Sequence, residues 1–559
     1  MQDGREVSLG LDEIAALLEF SGASRFKVIA YRRAAEVVNT LGNELGPLVE
    51  QRRLEELEGI GSTISRQIDE LWNSGTSELS NRLRSELPEG VGELMQVRGL
   101  TPRRIRTLSE TLGIRSVKEL QAACAEGRVR SVKGFGEKTE ARLVLACDRW
   151  LKRDDEAPEP LLLATALELA SLVQKRLLEV AERAEPAGAL RRGEETLREL
   201  EFVVIGDAER ALTHLMTLRQ VLRVDVEKRI AYLTKGVLVV LHAATPANAG
   251  NARFCATGSS VHVEAVRAIA NEHGVSLDNA FASEAALYRS AGLAVVPPEL
   301  RTGAGELDAA VRGGFGDLLE PADILGMVHC HTTYSDGKHS IAEMARAAHE
   351  LGMKYITITD HSPSAHYARG VTLDRLKEQW DEIAKVQEEV PIRILRGTES
   401  DILADGSLDF PDSVLEQFDV LIASIHSRHR MDRSAMTERI RRALSLPLFK
   451  IWGHALGRIL NHRDPIDCDV PAILDALAST RGAVEVNADP HRLDLPPAWI
   501  PAVRERNIPF VISVDAHSTK GLGVLRYGIT MARRGGIKKS EVLNARSADA
   551  FAVAVRPAG

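Results

Sequence analysis

Over the first 155 residues apolar positions recur at three- and four-residue spacing, as in LDEIAALLEF and FKVIAYRRAAEVVNTL, with Gly and Pro between the runs. That period marks amphipathic helices, so this part of the chain is predicted to be all-α. A charged, proline-containing stretch, RDDEAPEPL at 153 to 161, predicts a domain break. The next 150 or so residues pair a long helical pattern, LLLATALELASLVQKRLLEVAER, with apolar runs such as EFVVI and GVLVVLHA, which read as strands of an α+β domain. A second hinge, GGFGDLLEPAD at 313 to 323, precedes a different rhythm. After residue 326 short apolar runs alternate with helical stretches, and each run ends in a polar motif: VHCHTTYSDG, TITDHS, LRGTESDI, IASIHS, IWGHALGR, VEVNADPHR and VISVDAHS. The anchors His331, His361, Glu399, His426, His454, Glu485 and His517 are 30, 38, 27, 28, 31 and 32 residues apart, the length of a βα unit. Seven such units predict a distorted α/β barrel, (β/α)7, with its functional residues at the carboxyl ends of parallel strands. The expected divisions are helical domains at 1–85 and 86–155, an α+β domain at 156–312, a linker at 313–325 and the barrel at 326–559.

Composition bounds this multidomain picture. With 44% hydrophobic and 27% charged residues and no apolar run near membrane-spanning length, the chain reads as a soluble protein. The N-terminus lacks a basic-then-apolar signal, and Cys124, Cys147, Cys255, Cys330 and Cys468 form no CxxC pair, which together predict a cytoplasmic protein without disulfides. The net charge is −8, yet residues 98 to 142 hold eleven Lys or Arg against five Glu, a local basic face. Three stretches recur in the helical region, LEGIGSTISRQI at 57 to 68, VRGLTPRRIRTL at 97 to 108 and VKGFGEKTEARLV at 132 to 144, and the last two overlap that window. Gly59, Gly61, Gly99, Gly134 and Gly136 make turns that expose backbone N–H groups at helix starts, where a phosphate oxygen docks without base readout. Arg103, Arg104 and Lys138 follow these turns, so the hairpins are expected to bind the DNA backbone. The middle copy departs from the pattern, with Thr101 in place of a second Gly.

The polar motifs of the barrel supply His329, His331, Asp336, His361, Glu399, His426, His454, Asp515 and His517, nine nitrogen or oxygen donors. His329 and His331 alternate along a strand, which puts both rings on one side. One ion takes four to six ligands, so the set is expected to hold two or three divalent ions, with zinc, manganese or iron favoured by imidazole and carboxylate without thiolate. Such a cluster generates hydroxide near neutral pH and neutralises charge on a phosphate under attack, which makes phosphoester hydrolysis the expected reaction. Its catalytic core is expected at His329, His331, Glu399, Asp515 and His517. Arg428, Arg458 and Arg492 lie just after strand-end motifs and are candidates to hold substrate phosphates.

The order of parts resembles bacterial family X DNA polymerases that carry a C-terminal polymerase-and-histidinol-phosphatase (PHP) domain. The resemblance rests on the helical hairpins, on GALRRGEETLRELEFVV at 188 to 204, ATGSSVH at 256 to 262 and VPPELRTGAGEL at 296 to 307, and on the histidine motifs. It implies helix-hairpin-helix domains, a nucleotidyltransferase-like palm and a PHP barrel whose ligand pattern the nine donors match without substitution. In that family the palm holds two magnesium ions on two alternating Asp and a third Asp on a neighbouring strand. Here these positions fall on Glu199, Glu201 and Val240, and Ala189 replaces a hydroxyl, while Arg191 and Arg192 keep the basic step beside the incoming phosphates. Longer acids and an apolar third position leave magnesium in the palm in doubt, because that ion demands near-ideal octahedral geometry. The expectation is a monomeric DNA-repair protein acting on gapped, nicked or 3′ ends, with a PHP 3′-to-5′ exonuclease or related nuclease and a weak or lost polymerase. Three alternatives stand beside it: a working gap-filling polymerase with a PHP exonuclease, a phosphomonoesterase of a small metabolite, and a DNA-binding scaffold without catalysis.

Overall fold

The helical period of the N-terminal region is realised as helices at Gly4–Phe20, Arg25–Leu41, Ser62–Ser74, Pro102–Leu112, Val117–Ala125 and Glu137–Leu151, with shorter turns between them. The computed structural model describes residues 4–41, 45–57, 59–74, 76–87, 91–95, 97, 99–151, 159–218 and 220–558, and it divides into units Met1–Ala157 and Pro158–Gly559. Most of the stretch expected to break the domains at 153 to 161 lies outside the described residues. Within the first unit the amphipathic faces meet in two apolar clusters, one around Leu11, Ile14, Val38 and Ile68, the other around Ile105, Val117, Leu120 and Cys147. Local chemistry sets helix starts: the hydroxyls of Ser77 and Ser116 accept from the N–H groups of Ser80 and Glu119 in capping boxes. The three hairpin turns share a left-handed glycine, Gly59, Gly99 and Gly134, at φ of +85°, +94° and +94°. An L side chain there is strained, which is why glycine recurs.

In the second unit the strands β1 (Leu161–Leu162), β2 (Arg183–Ala187), β3 (Thr196–Leu197), β4 (Glu199–Ile205), β5 (Val221–Asp225), β6 (Ile230–Leu233) and β7 (Leu238–Ala244) come first. β1 and β3 form a ribbon, and the rest a mixed sheet ordered β2-β4-β7-β6-β5 in which β4 and β7 run parallel. A helical piece with its own core around Phe254, Val266, Leu287 and Tyr288 follows.

The barrel strands are β8 (Gly326–Cys330), β9 (Tyr355–Ile358), β10 (Arg393–Asp401), β11 (Val420–Ser424), β12 (Lys450–Trp452), β13 (Gly482–Asn487) and β14 (Phe510–Ser513). They lie side by side in chain order, each paired in parallel with its neighbours. Helices cover the outside, so the strands are buried on both faces and read as continuous apolar runs. Past the end of β14 the chain meets β8: the N–H groups of Val514, Ala516 and His331 donate to the carbonyls of Val328, His329 and Ala516 at 3.1, 3.0 and 2.9 Å. The seven strands thereby close almost completely into a barrel.

The segment 313–325 is pinned rather than free. Leu319 is buried and its N–H donates to the Ile537 carbonyl at 3.0 Å, while Arg533 reaches the Leu319 carbonyl at 2.9 Å and Glu320 at 2.6 Å. One apolar cluster runs from Leu163, Val204 and Leu212 to Phe410, Trp452 and Ile512, so the mixed sheet and the barrel share a core.

Candidate metal centre

The nine predicted donors meet at the carboxyl end of the barrel. His329 and His331 converge, though by another route than simple alternation. The β8–β9 register slips between Met327 and Cys330 and His329 takes φ +68°, leaving the two ring centroids 5.2 Å apart. His329 Nε2 lies 3.3 Å from Glu399 Oε2 and 3.7 Å from Asp515 Oδ1, and His331 Nε2 lies 3.6 and 3.4 Å from the same two oxygens. The other Glu399 oxygen, Oε1, faces His454 Nε2 at 2.8 Å and His426 Nε2 at 3.2 Å. A third group gathers on Asp336 Oδ1, 3.6 Å from His361 Nε2 and 3.4 Å from His517 Nε2. His361 Nδ1, 3.0 Å from Glu399 Oε2, joins that group to the first. Glu399 is thus the hub. His329, His454 and Asp515 all have left-handed backbones, at φ +68°, +23° and +49°, strain of the kind that collects where side-chain placement matters more than local comfort.

The donor set fits divalent cations. His329 Nε2, both ring nitrogens of His331, His361 Nδ1, His454 Nδ1 and Glu399 Oε2 are buried without a hydrogen-bond partner. Folded proteins rarely leave such atoms unsatisfied, and this many in one place calls for a shared cation. Carboxylates stand behind the rings. Glu485 Oε1 is 2.6 Å from His329 Nδ1 and accepts from Ser513 Oγ at 2.6 Å, and its other oxygen accepts from the His454 N–H. Asp401 Oδ1 is 2.7 Å from His426 Nδ1. Asp360 accepts from Thr332, Ser335 and Gln379, fixing the loop between His331 and Asp336. These orienting acids were missed at the sequence level. Glu485 and Asp401 carried a readable signal, one on a strand-end anchor and the other two residues beyond Glu399 on the same strand.

Burial opposes charge throughout the site; the neighbours overrule it at the carboxylates and not at His331. His426 and His329 hold Glu399 well below the usual carboxylate range, and His329 does the same for Asp515. Against its own burial, Asp336 is held to about 2, chiefly by the His517 hydrogen bond. Burial, reinforced by His517 and His361, pushes His331 down to about 4, which leaves a neutral ring with a lone pair to give.

The candidate phosphate-holding arginines part ways. Arg458 is corrected: its guanidinium is spent inside the protein, on Glu195 at 2.7 Å, on the Arg492 carbonyl at 2.8 Å and on the Leu493 carbonyl. It ties the turn before β3 to the barrel instead of facing a substrate. Arg428 is exposed, at φ +57°. Arg492 stays at the centre, its Nε 3.8 Å from Asp515.

In the palm, Glu199 starts β4 in the open, and Glu201 stands in register with Val240 of β7. Glu201 Oε2 is bonded to His242 Nε2 at 2.7 Å, so the neighbour at this point is an imidazole. Arg191 makes a fork on Glu284 at 2.9 and 2.6 Å, shared with Arg301, and Arg192 binds Glu194 at 2.9 Å and the Thr257 carbonyl at 2.7 Å. Ala189 lies in the short helix Gly188–Arg191. In the middle hairpin the Arg104 N–H is already donated to Thr101 Oγ1 at 3.3 Å, and the Arg104 guanidinium lies 5.5 Å from the Phe135 ring. Arg103 is exposed, and the Lys138 side chain lies outside the described ones.

Among the described residues no helix is long and apolar enough to cross a membrane. Comparison with known proteins matches residues 6–77 to a helix-hairpin-helix domain, 91–149 to a SAM-like helix-hairpin-helix tandem and 328–488 to the PHP domain. The PHP match stops short of Arg492, Asp515 and His517, which the fold brings to the same site. A probable phosphatase of Thermoanaerobacter sp. is 28% identical over 231 residues, 39% of this chain and 88% of its own length. A probable phosphatase of Vibrio parahaemolyticus is 28% identical over 241 residues, 40% of this chain and 89% of its own. The DNA polymerase/3′-5′ exonuclease PolX of Bacillus subtilis is 32% identical over 561 residues, 96% of both chains. A likeness that runs through the hairpins, the palm and the barrel alike assigns the chain to the PolX family, the bacterial family X DNA polymerases with a C-terminal PHP domain.

Proposed function

We propose that this protein is a DNA-binding nuclease of DNA repair whose barrel hydrolyses phosphodiesters at 3′ ends, as a 3′-to-5′ exonuclease or related nuclease, and whose polymerase centre is weak or lost. The observation that carries the reading is the meeting of nine nitrogen and oxygen donors with buried, unsatisfied atoms at one end of the barrel. His329, His331, Glu399 and Asp515, then Glu399, His426 and His454, then Asp336, His361 and His517 would hold two or three divalent ions, with Glu399 shared. Zinc, manganese or iron suits imidazole and carboxylate donors without thiolate. When bound, such ions supply a nucleophile near neutral pH and offset the charge that builds on the phosphate. The chain's own part is positional: Glu485 and Asp401 fix the tautomers of His329 and His426 so that Nε2 faces the site. The hairpins would hold gapped, nicked or 3′-ended DNA through its backbone.

Weak polymerisation is supported by Val240 beside Glu201, by the Glu201–His242 bond and by Glu284 occupying Arg191. A second reading, an active gap-filling polymerase, draws on the name of the Bacillus relative. One assay separates them: metal analysis of the purified protein, then incubation with manganese and a labelled primer–template, without and with nucleotides. Shortening that disappears in His331→Ala bears out the first reading. Extension that disappears in Glu199→Ala favours the second, and phosphate release from a monoester with neither points to a phosphatase.

A further inference from the structure

We infer that Tyr367 and Arg492 form the subsite for the terminal nucleotide of the strand being cut, with Tyr367 stacked on its base and Arg492 holding an oxygen of its phosphate. The inference rests on the hydrolytic reading above and names what that site recognises. Tyr367 is 67% exposed, a large aromatic face turned to solvent beside the donor cluster. Its ring centroid lies 5.9 Å from that of His361 and 6.2 Å from that of His426. The turn presenting it is braced: Ala365 and Gly370 N–H groups donate to the carbonyls of Ser362 and Ala365 at 3.1 Å each, and Val371 donates to the His361 carbonyl at 2.7 Å. Gly370 sits so close to Ser362 that a Cβ would overlap its carbonyl. An aromatic ring so held loses little freedom when a base lies on it, and stacking tolerates any base.

Arg492 flanks the cluster on the side of Asp515. Its Nη1 is buried without a hydrogen-bond partner, and its Nε makes long ion pairs, 3.6 Å to Asp489 and 3.8 Å to Asp515. Its backbone is fixed at both ends, the N–H donating to Asp489 at 2.8 Å and the carbonyl accepting from Arg458 at 2.8 Å. Arg458 and Arg439 nearby spend their donors on carbonyls and a carboxylate, so the unsatisfied guanidinium of Arg492 stands apart. A buried N–H without an acceptor is costly, and a phosphate oxygen both satisfies it and matches the planar fork. A ring beside His361 and His426 and a guanidinium beside Asp515, both bordering one hydrolytic cluster, fit a nucleotide.

The test compares the manganese-loaded full chain on two single-stranded oligonucleotides, one with an ordinary 3′-terminal nucleotide and one whose terminal sugar lacks a base. Tyr367→Ala is expected to raise KM on the ordinary end by about tenfold or more, the range of one base on an aromatic ring, and to leave the baseless end unchanged. Tyr367→Phe is expected to behave as wild type. Arg492→Ala is expected to slow both ends alike, with Arg492→Lys between it and wild type. Equal effects of Tyr367→Ala on both ends, or none on either, would overturn the subsite. Calorimetric binding of thymidine 5′-monophosphate and deoxyribose 5-phosphate tests it apart from turnover. Wild type should prefer the first, Tyr367→Ala should lose that preference, and Arg492→Ala should weaken both. If no DNA is cut yet the preference holds, the hydrolytic reading fails and the subsite stands; equal affinities in wild type sink the subsite alone.

Discussion

Glu485 lends no atom to the three donor groups, yet it sets where two of them point. Its carboxylate holds His329 Nδ1 at 2.6 Å and the His454 N–H, so both rings are presented by one buried acid. Glu485→Gln is therefore expected to weaken metal retention by about 10- to 100-fold, the usual cost of losing such a partner, read by chelator competition on the loaded protein. A structural role alone would lower the melting temperature of the metal-free protein and leave retention intact. Glu284 gives a second residue-scale prediction. Despite burial, the Arg191 and Arg301 guanidiniums hold it at about 2, below the 4.5 of a free glutamate. A depressed carboxyl contributes stability that is present above the unfolded pKa and lost as pH falls toward the folded one. Wild type should thus exceed Glu284→Gln by on the order of 3 kcal/mol near neutrality, a gap that closes as the protein is acidified from about 4.5 toward about 2 in urea titrations.

At the scale of elements, the hairpins separate glycines that the backbone requires from glycines that merely fit. Gly59 and Gly134 are left-handed at φ +85° and +94°, whereas Gly61 and Gly136 are not among the positive-φ residues, and a Cβ at any of the four would meet nothing within 4 Å. Gly59→Ala and Gly134→Ala are expected to destabilise the helices that follow by about 1–2 kcal/mol, while Gly61→Ala leaves them unchanged, as hydrogen exchange across Ser62–Ser74 and Glu137–Leu151 would report. Uniform protection in all three variants would mean that the turns do not control these helices. The middle hairpin carries its own cap in Thr101, so its amide is already used where the sequence pattern promised a phosphate cradle. In the barrel, the slip between β8 and β9 does for His329 and His331 what regular alternation was expected to do.

At the scale of the whole molecule, the second unit behaves as one body because the mixed sheet and barrel share an apolar core and the turn before β3 is tied to the barrel by the Arg458–Glu195 pair at 2.7 Å. Removing the buried Arg458 guanidinium leaves the half-buried Glu195 and two carbonyls without their donor, so Arg458→Ala should cost about 1–3 kcal/mol of stability in denaturant. It should also slow hydrolysis, since Arg458 supports the carbonyls of Arg492 and Leu493 beside the cluster. Metal removal acts on the same body: a ligand that binds only the folded state stabilises it by mass action. Chelation should lower the melting temperature of wild type and manganese should restore it, with the shift reduced in His331→Ala. An unchanged melting temperature in wild type would argue against a resident cluster.

The sequence by itself determined what depends on near neighbours and residue type. Helical spacing foretold the first unit, strand-end motifs 27 to 38 residues apart foretold the barrel, and nitrogen and oxygen donors at the strand ends pointed to divalent metal binding. Periodicity and chemical type are local properties, so they survive without coordinates. Only the tertiary structure decided that Glu485 orients His329 across 156 residues, that Glu284 occupies Arg191 across 93, and that Arg458 binds Glu195 across 263. Which partner a charged group takes depends on distance and burial in the folded chain, and sequence separation carries no record of either.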